Sequence, residues 1–128
     1  MRRFLLSVED VCRLHRDIIA ESGGCPGIVS LELLQAALNR VRASVQGKWL
    51  YDDVFLQAAC VAHAIARWPF VDGNKRVALL VADAILSEGG WTFDASPDEQ
   101  TEVMCTVAEG HMDVGDLAAW LRRNSRSE

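Results

Sequence analysis

Trp68-Pro69-Phe70-Val71-Asp72-Gly73-Asn74-Lys75-Arg76 separates two helical patterns, and its reading decides the rest of the chain. Behind it, Val54 to Ala66 is amphipathic; ahead of it, Asn74 to Leu86 is apolar on nearly every side. Pro69 breaks the first pattern and Gly73 permits a tight turn into the second. A glycine turn that opens a helix leaves backbone N–H groups without helical partners, and the helix dipole adds positive potential there. Such a turn suits an anion such as phosphate. Lys75 and Arg76 fall in that first turn, where cations oppose the dipole. A bound polyanion would explain their placement. Asp72 offers a hard oxygen ligand beside the turn, the kind that holds magnesium. A plainer reading also stands: Asp-Gly-Asn is ordinary turn chemistry, and Asp72 could simply cap the helix that follows.

The chain has 128 residues, half of them hydrophobic, which suits a single domain over 1–128 with a modest core. A net charge of −5 argues against direct, broad nucleic-acid binding. No uncharged apolar run reaches membrane-spanning length, and Met-Arg-Arg-Phe-Leu-Leu lacks a signal-peptide core, so a cytoplasmic protein is expected. Cys12, Cys25, Cys60 and Cys105 are scattered, and so are His15, His63 and His111. The cysteines read as reduced, mostly buried residues, and neither set has metal-ligand spacing.

Taken in order, Ser7 and Asp10 form a weak capping box for a first helix that Gly23-Gly24 ends. His15 lies between apolar positions of that helix and reads as a tethered core-edge residue. Ser30 caps a second helix, whose apolar face takes in Leu34, Ala37, Leu38, Val41 and Val45 and which Gly47 breaks. Lys48-Trp49-Leu50-Tyr51 has the extended character of a short flap. Exposed Trp49 and Tyr51 would mark a partner surface there; tucked under the loop they would form a satellite cluster. Asp53 caps the third helix, which is rich in alanine. The fourth, hydrophobic nearly all round, is expected at the centre of the bundle. Trp91-Thr92-Phe93 reads as an extended linker. Ser96-Pro97-Asp98-Glu99 is a strong helix start, and Asp113 caps a last helix, with Trp120 flanking its apolar stripe. Arg122, Arg123 and Arg126 read as a solvated tail. The fold class is therefore all-α: a single compact bundle of about six helices, with the motif loop between the third and fourth.

From Pro69 to Arg76 this stretch resembles the signature of the death-on-curing (Doc) family of the Fic superfamily, His-Pro-Phe-Xaa-Asp/Asn-Gly/Ala-Asn-Lys-Arg. Leu14-His15, Gly23-Gly24-Cys25-Pro26-Gly27-Ile28, Leu33-Leu34-Gln35-Ala36-Ala37-Leu38, Tyr51, Ala58-Ala59 and Leu117-Ala118-Ala119-Trp120-Leu121 are similar to the same family, so the likeness spans nearly the whole chain. The resemblance implies a Fic/Doc-like fold and a small bacterial toxin encoded with an antitoxin that folds onto it. It also implies transfer of phosphate, or of a nucleotide moiety, to a protein hydroxyl. In the Doc branch the donor is ATP and the acceptor a threonine of elongation factor Tu. On the same grounds Asp72 would bind Mg2+, and Gly73, Asn74, Lys75 and Arg76 would hold nucleotide phosphates. Phe70 would anchor the loop, and the residue before Pro69 would be the general base.

That residue is Trp68, where the family has histidine. An indole N–H donates and has no accessible lone pair, so Trp68 cannot take a proton. His63 lies one turn and more away, about 7.5 Å along the helix axis. His111 belongs to a late loop. Val77 stands where the family often has threonine, and Val29-Ser30 replaces the usual Arg-Asp. Two readings follow: a Doc-type transferase slowed by its missing base, or a catalytically dead Doc-like module that holds a nucleotide, an antitoxin or another protein.

Overall fold

The computed structural model describes residues 7–25, 27–42, 44–45, 48–49, 53–67 and 72–128, with only the backbone at 42, 44–45 and 48–49. Among the described residues six helices carry the fold: α1 Val8–Ser22, α2 Leu31–Arg42, α3 Val54–Arg67, α4 Asn74–Glu88, α5 Pro97–Ala108 and α6 Val114–Arg123. Four short strands form two antiparallel pairs. β1 Ser44–Val45 pairs with β2 Lys48–Trp49, and β3 Trp91–Phe93 with β4 Ser125–Ser127. The all-α class is as expected, and among the described residues no helix is long and apolar enough to cross a membrane.

The caps lie where the side chains dictate. The Ser7 hydroxyl accepts the Asp10 N–H (3.1 Å), and the Asp10 carboxylate accepts the Ser7 N–H (3.1 Å). Ser30, Asp53, Ser96 and Asp113 accept backbone N–H groups at the starts of α2, α3, α5 and α6. The Ser7 N–H first, and its hydroxyl second, hold the Asp10 carboxyl below the usual carboxylate range. Its stabilising share is therefore complete above the ordinary carboxylate pKa and is lost as pH falls through the lowered folded value. Ser7→Ala is expected to cost about 0.5–2 kcal/mol of stability, readable by urea denaturation at neutral pH.

The centre of the bundle is α3, not α4 as expected. α3 packs against α2, α4, α5 and α6. Its Ala58, Ala59, Ala62 and Ala66 are buried, and residues that small let neighbouring helices approach from several sides. α4 buries Val77, Val81 and Ile85, but Leu80 is 44 % exposed and Asp83 faces out. Leu34, Leu38, Phe55, Ile65, Leu86, Leu117 and Leu121 complete the core.

Two boundaries also differ from expectation. α2 stops at Arg42, so Val45 belongs to a hairpin rather than to the helix face; β-branched residues lose rotamer freedom in helices and suit strands. The extended character at residue 48 is borne out by the Val45–Lys48 and Ser44–Trp49 pairing. Tyr51 and the side chain of Trp49 lie outside the described residues. At the other end the supposed linker and tail zip together, with Thr92 opposite Arg126. The Trp91 ring meets Phe55 edge-on at 5.0 Å, and Phe93 meets Trp120 at 5.3 Å. Arg122 pairs with Asp53 and lies over the Phe55 ring, 4.6 Å from its centre. Trp120 is buried, its indole N–H satisfied by Glu99 (2.6 Å). Aromatic contacts of this kind add about 0.5–1.5 kcal/mol each beyond area burial. They pin β3, and through its pairing β4, against α3 and α6.

Candidate functional site

The turn into α4 is built on Gly73, whose backbone is left-handed (φ +84°), a region that side chains with a Cβ rarely enter. The helical ladder begins with the Val77 N–H on the Gly73 carbonyl (3.0 Å), so the amides ahead of it do not serve the helix. Among the described residues no side-chain cap is made at this end, and the Asp72 carboxylate bonds the Gly73 and Cys25 N–H groups rather than the first-turn amides of α4.

Asp72 is instead held from three directions. Its Oδ1 accepts the Gly73 N–H (2.8 Å), and its Oδ2 accepts the Cys25 N–H (3.2 Å) from the stretch that follows α1. Its own carbonyl accepts a hydrogen bond from Nε2 of His15 in α1 (2.7 Å). Arg76 brings a guanidinium nitrogen to 4.0 Å from Oδ1 and hydrogen-bonds the Ser22 hydroxyl. The Cys25 and Gly73 N–H groups, in that order, hold the Asp72 carboxyl below its ordinary range, with Arg76 adding and burial opposing. The group is ionised at neutral pH.

The approach of residues 23–25 to Asp72 requires glycine. Gly24 has φ +117°, and a Cβ built there would lie 2.6 Å from Asp72 Oδ2. Gly24→Ala is expected to cost about 1–3 kcal/mol in thermal or denaturant unfolding, because strain and a displaced carboxylate add.

Residues 72–76 border a cleft of about 480 Å³, closed by Arg67 from α3 and by Thr101 and Met104 from α5. Three cationic side chains, Arg67, Lys75 and Arg76, thus line one cavity beside a helix N-terminus, a setting that favours an anion. Asp72 is the residue here that could hold a hard cation. Its side chain is 47 % exposed, and each carboxylate oxygen accepts one N–H and retains a lone pair. Among the described residues no three His, Cys, Asp or Glu side chains cluster. An ion at Asp72 would therefore take its other ligands from phosphate and water, as magnesium commonly does.

Asp72, Gly73, Asn74, Lys75 and Arg76 all line this cleft, while Trp68 and Phe70 lie outside the described residues. His63 is satisfied by the Met112 carbonyl (2.9 Å), as a helix histidine, and His111 is exposed in a loop. Sequence reasoning missed His15 and the Cys25 amide as supports of Asp72, and Arg67 as a cleft wall. Local periodicity carries no signal for contacts 57 and 47 residues apart.

A small helical domain with an acidic turn residue and a cationic cleft at one helix N-terminus defines the class. Residues 5–86 match the model of the Fic/DOC family, and the chain belongs to that family. It is 34 % identical to the "Protein kinase doc" of Escherichia phage P1 over 119 residues, 92 % of this chain and 93 % of that protein. It is 35 % identical to the "Toxin Doc" of Mycolicibacterium smegmatis over 92 residues, 70 % of this chain and 71 % of that one.

Proposed function

We propose that this chain is a Doc-type toxin that binds Mg2+ and ATP, or another nucleotide, in the α4 cleft. It passes phosphate, or a nucleotide moiety, to a protein hydroxyl at a rate limited by Trp68. The observation that supports this most directly is the convergence of Asp72, Lys75, Arg76 and the α4 N-terminus on one cleft. Asp72, fixed and ionised, is the ligand for magnesium, and that ion offsets phosphate charge. The first-turn amides with Gly73, Asn74, Lys75 and Arg76 hold the phosphate oxygens. Phosphoryl transfer depends mainly on such positioning and charge stabilisation, with a base orienting the hydroxyl. Arg67 faces the same cleft and is suited to a further phosphate oxygen. The acceptor proposed by kinship is a protein such as elongation factor Tu, in the cytoplasm, with a cognate antitoxin as the restraining partner.

The test is transfer of label to purified elongation factor Tu and to a bacterial lysate, with ATP labelled at the γ- or the α-phosphorus. Label from the γ position alone supports phosphate transfer; label from the α position identifies nucleotide transfer. Absence of both, with nucleotide still bound, leaves the catalytically dead binding module as the function.

A further inference from the structure

We infer that His15 is a positioning residue of the nucleotide site, setting Asp72 in place through the hydrogen bond from its Nε2 to the Asp72 carbonyl. The role rests on the proposed function for the ion and nucleotide, and on geometry alone for the tether.

His15 is 3 % exposed on α1, between the helix and the motif turn. The Nε2–Asp72 carbonyl distance is 2.7 Å across 57 residues of chain. A carbonyl only accepts, so Nε2 carries the proton, and the imidazole is fixed as a donor at that atom. The ring also sits against the turn: a Cβ on Gly73 would lie 3.6 Å from its Cδ2. The same peptide is thus gripped at its carbonyl by His15, while the carboxylate is gripped by the Cys25 and Gly73 N–H groups. His15 and the Cys25 amide both belong to the first 25 residues, so α1 and the stretch after it act as one jaw on Asp72. A ligand-bearing carboxylate held in this way depends on the groups behind it, and loss of such support commonly lowers metal affinity about 10–100-fold.

A structural contribution to the core would be lost evenly, whereas a positioning role is local. Amide hydrogen exchange separates them. The variants are His15→Phe, which keeps the ring shape without a donor, and His15→Gln, which keeps a donor at comparable reach. His15→Asn is a donor too short for the carbonyl; it carries the test should the phenylalanine variant fail to fold.

In His15→Phe or His15→Asn the Cys25 amide is expected to exchange about tenfold faster, having lost its fixed acceptor. Core amides such as Val61 and Leu117 keep their protection. The magnesium-dependent part of ATP affinity falls about 10–100-fold, and His15→Gln restores both readouts. An unchanged Cys25 amide in a folded donorless variant overturns the inference, as does loss of protection that is uniform across the core. If the unaltered chain binds no Mg-nucleotide while the Cys25 amide still responds to His15 and is rescued by glutamine, the tether stands and the nucleotide reading fails.

Discussion

Trp68→His is expected to raise transfer of label from γ-³²P-ATP to a target protein by about 10²-fold or more, the lower range for a positioned general base. It should also raise growth inhibition when the chain is expressed without a partner. A protein hydroxyl must lose its proton as the new phosphorus–oxygen bond forms. The indole nitrogen of Trp68 has its lone pair in the ring and cannot accept it. Every later position of the segment, Pro69 to Arg76, keeps the family chemistry, so only the proton acceptor is restored by the change. Two outcomes contradict this account in different ways. Bound nucleotide with no gain from histidine means that the site has diverged at more than one residue. A high rate in the unaltered chain that histidine does not improve means that the base lies elsewhere, and His63 and His111 are next to be replaced.

Adding Asp72→Ala to Trp68→His is expected to return transfer to background. The carboxylate is lost as a magnesium ligand, and the Cys25 and Gly73 N–H groups lose their acceptor. Asp72→Asn separates the two effects. It keeps the shape and one acceptor oxygen while its –NH2 meets the other N–H donor, so it should spare thermal stability only in part relative to alanine, yet transfer should remain at background because the charge is gone. The pH dependence has a definite sign. Asp72 is held below its ordinary value, so the stability it supplies is complete from about one pH unit above the usual aspartate pKa of about 3.9. It is lost as pH falls through the lowered folded value. Stability between about pH 5 and 7 should therefore be indifferent to Asp72 protonation, and the acid limb of the unfolding curve should flatten in Asp72→Asn.

Much of this was legible in the chain because it is written locally. Ser7, Ser30, Asp53, Ser96 and Asp113 announce helix starts through their own hydroxyls and carboxylates, and each makes the expected bond. The cluster at 72–76 was legible for the same reason: Gly73 marks the left-handed turn, and the charged residues flank it. The central helix was misjudged because hydrophobicity favours Leu and Val, whereas close approach on several sides favours the alanines of α3. The β3–β4 pairing joins Trp91 to Ser127 across the whole of α5 and α6, and three-residue strands have too little periodicity to declare themselves. His15 was legible as a tethered histidine, but not as the tether of Asp72, since only the fold brings α1 to that turn.

Calorimetric titration of the unaltered chain with Mg-ATP tests the central claim most directly. Measurable binding heat is expected, weakened when magnesium is withheld or in Asp72→Ala, and weakened in Lys75→Ala whether or not magnesium is present. No heat with Mg-ATP or any other Mg-nucleotide, from protein whose folding is confirmed by a cooperative thermal transition, would contradict it.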